Sequence, residues 1–86
     1  MTTLMITHDV KDVEHWLASP KRAEFFGPRG ISARPFVDAE RSNHVGLVVE
    51  VPDLPTLQQA LASPEAAAAM KHDGVQPETI HIMVQS

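Results

Sequence analysis

His8 and Trp16 are the two residues whose chemistry a small pocket would use first. Imidazole titrates near neutral pH, and indole offers a flat apolar face with a single donor. With His8 at the end of a first strand and Trp16 one turn into the helix after it, the pair is expected to floor and polarise one opening. The plainer alternative makes Trp16 core and leaves His8 bonded to local backbone. Phe25 is expected at the mouth of the same opening, whereas Phe26 and Phe36 read as core. Arg34 alternates with Phe36 in an extended run. Pointing to the helix side, it would meet an anionic ligand group; otherwise it snorkels from a sheet edge into water. His8, Trp16, Phe25 and Arg34 are thus the ligand-binding candidates, and no residue is assigned a catalytic role.

Glu50 and His81 share the other face of the expected sheet. Across an interface they would pair, or act as acid and base; a structural pair is the simpler reading, since buried ion pairs occur without catalysis. The five histidines, His8, His15, His44, His72 and His81, show no His-x-His, His-x3-His or His-Glu-x2-His spacing. No metal site and no cofactor are therefore expected. Lys21, Arg22 and Arg29 form a small basic cluster that reads as a solvated helix face. The chain has no cysteine, which excludes disulfides, thiolate metal sites and cysteine nucleophiles.

These residues need a scaffold, and its signals are clear. Leu4-Met5-Ile6-Thr7-His8 reads as a strand. Asp12 is a plausible helix cap, with Val13, Trp16 and Leu17 on one helical face. Ser19-Pro20 restarts the helix, and Gly27-Pro28-Arg29-Gly30 ends it. Ile31 to Asp38 and Val45 to Val51 read as a hairpin about the polar turn Ala39–Asn43. Asp53 caps a second helix bearing Leu54, Leu57 and Leu61; Ser63-Pro64-Glu65 restarts it, and Asp73-Gly74 stops it. Thr79 to Gln85 is the final strand. The order is βαββαβ. Its halves echo each other: Val10-Lys11-Asp12-Val13 matches Val51-Pro52-Asp53-Leu54, and Leu17-Ala18-Ser19-Pro20 matches Leu61-Ala62-Ser63-Pro64. The expectation is an α+β, ferredoxin-like domain over residues 1–86: a four-stranded antiparallel sheet with its helices on one face.

Ile80, Ile82 and Val84 form the greasier face of the last strand, so they should meet the helices with Leu4, Ile6, Val45, Leu47 and Val49. The opposite face then carries Met5, Val37, Val48, Glu50, His81 and Met83, together with Thr7, Pro35 and Gly46. It is too apolar for open water, and nothing else in the chain covers it. A second copy is the expected cover, which makes those first six residues the candidate dimer interface. A chain of 86 residues leaves much of its surface exposed, which also favours a partner subunit.

The sequence resembles the dimeric α+β barrel superfamily, and within it small proteins of the antibiotic-biosynthesis-monooxygenase type. The resemblance spans nearly the whole chain. It rests on His8-x-Val10-x-Asp12-x3-Trp16, Ser32-Ala33-Arg34-x-Phe36, Val48-x-Glu50-Val51-x-Asp53-Leu54, and the run from Ser63-Pro64-Glu65 through Met70 to Gly74-Val75. It implies two sheets packed face to face, and ligands held between helices and sheet. The superfamily includes cofactor-independent monooxygenases, decarboxylases, isomerases, haem-degrading enzymes and proteins of no known role.

Net charge of −4 disfavours nucleic acid or an anionic membrane as partner. The inner strands lack the stacking aromatics of RNA-recognition domains. Without a signal peptide or a long apolar run, the expected location is cytoplasmic. The leading expectation is a homodimeric protein that binds a small apolar or aromatic molecule. Its rivals are a cofactor-independent monooxygenase or isomerase acting on an aromatic or polyketide-like substrate, and a structural or regulatory dimer with no ligand site.

Overall fold

Short polar side chains fix where the helices begin. In the computed structural model, which describes residues 1–86, Asp12 accepts from the His15 amide at 3.2 Å and starts α1 (Val13–Ala18). Ser19 Oγ accepts from the Lys21 amide at 3.1 Å, where α2 (Lys21–Phe26) begins. Asp53 accepts from the Thr56 amide at 2.8 Å and from its hydroxyl at 2.7 Å, opening α3 (Leu54–Leu61). Ser63 accepts from the Ala66 amide at 3.2 Å and opens α4 (Pro64–Asp73). Each cap satisfies an amide that the first helical turn leaves without a partner. Both Ser-Pro breaks therefore lie where the sequence places them.

Four strands, β1 (Thr2–Val10), β2 (Ser32–Val37), β3 (His44–Val51) and β4 (Val75–Val84), form one antiparallel sheet in the order β2-β3-β1-β4. This is the ferredoxin-like plan of two interleaved βαβ halves. Leu4, Ile6, Val45, Leu47, Val49 and Val51 turn one face of the sheet to Trp16, Phe25, Phe26, Leu57, Ala60 and Ala66 of the helices, and all twelve are buried in one cluster. No helix is long and apolar enough to cross a membrane.

β4 starts earlier than the expected Thr79. Gly74 takes the left-handed conformation at φ +74°, which only glycine adopts freely, and turns α4 directly into Val75. The strand pairs with β1 at Val75 and Gln76, leaves register, and pairs again from His81. The irregularity accommodates Pro77, which cannot donate to a ladder. Thr79 seals it: its hydroxyl accepts from the Asp9 amide at 2.8 Å and donates to the Gln76 carbonyl at 2.6 Å.

The register of β2 corrects the placements of Val37, Pro35 and Phe36, and puts Arg34 at the sheet edge on the open face. Val37 lies opposite Val45, Pro35 opposite Leu47 and Ala33 opposite Val49, so these residues face the helices. Val37, expected on the open face, packs against the core instead. Arg34 lies opposite Val48 and Phe36 opposite Gly46, on the face without helices. Phe36 is accordingly 55% exposed rather than core. Side chains alternate along a strand, so a shift of one residue exchanges every inward and outward position. The open face thus presents Met5, Phe36, Val48 and Met83, of which Met5, Phe36 and Met83 are well exposed. Ile82 and Val84 are on the helix side in register, opposite the buried Ile6 and Leu4, yet exposed, because β4 is an edge strand of the sheet.

Candidate functional site

The alternation of β1 sends His8 inward with Ile6 and Val10, beneath α1 and α2. There His8 and Trp16 are 4% and 2% exposed. Both line a cavity of about 70 Å³ between helices and sheet. Phe25, Phe26, Leu47 and Ile80 supply much of its apolar wall, and Leu61, Ala69, Met70 and Val75 border it. Ala66 and Ala69 carry only a methyl group, which lets α4 lie close to this space. Of the four ligand-binding candidates, His8, Trp16 and Phe25 meet here. Arg34 does not: it lies on the open face with its guanidinium 3.9 Å from Glu50, both side chains about half exposed.

Two charged residues reach the cavity that the sequence pattern leaves outside it, Arg22 and Asp73. The Arg22 guanidinium stacks over the Trp16 ring at 4.8 Å, within cation–π range. The neighbouring cations turn elsewhere. Lys21 faces Glu24 at 3.8 Å, and Arg29 lies over Phe25 at 4.1 Å while donating to the Phe25 carbonyl at 2.8 Å. A signal for Arg22 was present, since it precedes Phe25 and Phe26 by helical spacing and shares their face. Asp73 is buried at the end of α4, with Oδ1 2.8 Å from His72 Nδ1.

Two polar atoms at the cavity are buried with no hydrogen-bond partner, His8 Nδ1 and Arg22 Nη1. Such orphans are uncommon, and each costs about 1–3 kcal/mol. Burial pushes the His8 imidazole below its ordinary pKa, so the ring is neutral at pH 7, and Nδ1 is free to bond a ligand as donor or acceptor according to the tautomer. Burial likewise lowers Arg22, against the opposing field of Asp73. Arginine still keeps its charge at neutral pH.

Glu50 and His81 share the open face but not a neighbourhood. Glu50 lies opposite Thr3 and His81 opposite Thr7, so they are offset by about 13 Å along β1. Within one chain they form no acid–base pair. His15 and His72, distant in sequence, come together where α1 passes the end of α4.

No family model and no curated protein matches the chain. Solved structures do. The crystal structure of an antibiotic biosynthesis monooxygenase aligns with a TM-score of 0.66 at 15% identity, covering 100% of this chain and 97% of that one. A Deinococcus radiodurans protein given the same name provisionally aligns at 0.62 and 19% identity, over 100% and 91% of the two chains. An ethyl tert-butyl ether D (EthD) family protein from Bacillus halodurans aligns at 0.56 and 18% identity, over 100% and 98%. The chain shares, over its full length, the ferredoxin-like fold of these structures.

Proposed function

We propose that the protein is a cytoplasmic homodimer that binds a small, flat, largely apolar molecule in the helix–sheet cavity, without a resident cofactor. The observation that carries this reading is the aromatic wall of Trp16, Phe25 and Phe26 beside two unpartnered polar atoms, His8 Nδ1 and Arg22 Nη1. A ligand oxygen meeting Arg22 would satisfy a donor that the protein leaves empty. At about 70 Å³ the cavity is smaller than the roughly 300–1,000 Å³ of drug-sized sites. Binding therefore requires side chains to give way, and Met70 and the half-buried Arg22 are the ones best able to do so.

Trp16 is the sole tryptophan, so its emission reports the cavity directly. Single-ring aromatic ketones and phenols should shift or quench it saturably, and matched hydrocarbons should do so more weakly. If none perturbs Trp16, the cavity is part of the core and the structural-dimer reading replaces this one.

A second reading gives the site a reaction. It is favoured by a neutral, unpartnered His8 at the cavity and by the fold shared with an antibiotic biosynthesis monooxygenase. His8 would take a proton from a phenol or an activated methylene. Mass spectrometry distinguishes the outcomes: with dioxygen as oxidant the activated carbon becomes a carbonyl and water leaves, so the product gains one oxygen and loses two hydrogens, whereas isomerisation leaves its mass unchanged. A turnover unaffected by His8→Ala would remove His8 from the chemistry.

A further inference from the structure

Around Asp73, which borders the cavity, three potential ligand side chains converge from two helices. The rings of His15 on α1 and His72 on α4 are 5.2 Å apart and tilted by 36°. His15 Nε2 lies 2.8 Å from the His72 main-chain oxygen, and His72 Nδ1 lies 2.8 Å from Asp73 Oδ1. One ligand-type atom from each of the three residues lies within 4.8 Å of the other two. We propose that His15, His72 and Asp73 bind one divalent transition-metal ion, with zinc as the simplest probe.

Two imidazoles and a carboxylate are a donor set that borderline ions such as zinc accept. At metal–ligand bonds of about 2.0–2.2 Å, tetrahedral ligand atoms stand roughly 3.3 Å apart. The His72–Asp73 pair is already within that distance. His15 has a modest gap to close, and its exposed ring would exchange the bond to the His72 main-chain oxygen for the ion. The Asp73 side chain is 7% exposed and has a single partner, His72. Arg22 shares the cavity with it but forms no ion pair. A buried carboxylate in that position gains from a cation. The site also lies at the C-terminal end of α4, where the helix dipole favours positive charge. Lys71 in the same turn opposes this, and its long stem lets its charge stay in water.

Three protein ligands leave at least one coordination position for water or a ligand atom. Because Asp73 also lines the cavity, a bound ion would place a Lewis acid at the edge of the proposed ligand space. The metal site does not depend on the ligand reading, and either can fail alone.

The purified full chain should be titrated with zinc by calorimetry and with cobalt(II) by visible absorption. The expected result is one ion per chain. His15→Ala and His72→Ala should each weaken binding at least about tenfold, since even outer-shell partners of metal ligands cost that much. Asp73→Asn should do the same, but it alters a buried group. His15→Gln, at an exposed ring, therefore serves as the variant that keeps the fold. His44→Ala and His81→Ala should leave binding unchanged. Zinc should raise the melting temperature of the wild type and not of His15→Gln. Binding without saturation, or weakened equally by His44→Ala, would overturn the site as scattered surface coordination. A His15 variant that melts lower but binds zinc as the wild type does would overturn it in favour of a purely structural helix tie.

Discussion

The His8 imidazole meets the Trp16 indole edge to face, with ring centroids 5.7 Å apart and planes at 79°. Arg22 covers the same indole at 4.8 Å. The two sequence readings of this pair, pocket wall and core, therefore describe one arrangement. The rings are packed as tightly as core residues, and they also border the space that a ligand would enter. The edge-to-face geometry is the one the indole quadrupole favours.

His8 should make the fold sensitive to mild acid. Its folded pKa is lowered from 6.5, chiefly by burial. Between the folded pKa and 6.5 the unfolded chain binds more protons, so stability rises with pH through that window and falls as pH drops through it. His8→Phe should flatten this dependence. Urea midpoints at about pH 7.5 and about pH 5.5, read from Trp16 emission, provide the check. An unchanged pH slope in His8→Phe would assign the effect to other groups.

Arg22 should decide which ligands bind. Arg22→Met keeps a similar stem but removes the unpartnered donor. Affinity for oxygen-bearing aromatics should fall by about tenfold, equivalent to one hydrogen bond to a charged group at roughly 1.5 kcal/mol. Affinity for matched hydrocarbons should hold or improve. Equal loss for both classes would mean that Arg22 acts only by packing on Trp16.

The proposed dimer predicts opposite effects from neighbouring positions. Val48→Asp or Phe36→Asp puts a charge on the open sheet face and should shift light-scattering mass toward the monomer at micromolar concentration. Glu40→Ala, in the exposed turn, should not. Val37→Asp faces the helices and should lower the melting temperature by damaging the core. A monomeric wild type with the same exposed face would defeat the dimer reading.

Ser63→Ala tests the break between α3 and α4. Its hydroxyl accepts from the Ala66 amide and donates to the Ala60 carbonyl at 2.6 Å, joining the end of one helix to the start of the next. The loss should be about 1 kcal/mol in urea unfolding. A change within measurement error would show that Pro64 alone sets the break.

The helix starts were legible because capping is local: an aspartate or serine and its amide partner lie within three residues, at Asp12, Asp53 and Ser63. The core row of β1 and β3 was legible because Leu4, Ile6, Val45, Leu47 and Val49 are large and alternate cleanly. β2 was not. Its helix-facing residues, Ala33 and Pro35, are small or rigid, whereas Phe36 on the open face looks like core by type alone. Edge strands carry less burial, and so less pattern to read. The cavity was half legible: His8, Trp16 and Phe25 announced themselves, while Arg22 was hidden among Lys21 and Arg29. The meeting of His15 with His72 depends on how α1 crosses α4, which no spacing along the chain encodes.

The irregularity at Thr79 divides β4 into two lengths of ladder held by different things. Both lengths pair with β1 at the sheet edge, but Val75 and Gln76 continue directly from α4, while the segment from His81 onward lies beyond the irregularity. Val75 and Ile80, one on each side of the break, both border the cavity. The distal segment can thus fray without unzipping the proximal one, because the Asp9 amide is held by a side-chain hydroxyl rather than by the ladder. In hydrogen exchange, amides beyond Thr79 should open at a lower free energy than those at Val75 and Gln76. If the two lengths open separately, the proposed ligand would enter at the cost of a few hydrogen bonds, with the rest of the sheet left closed.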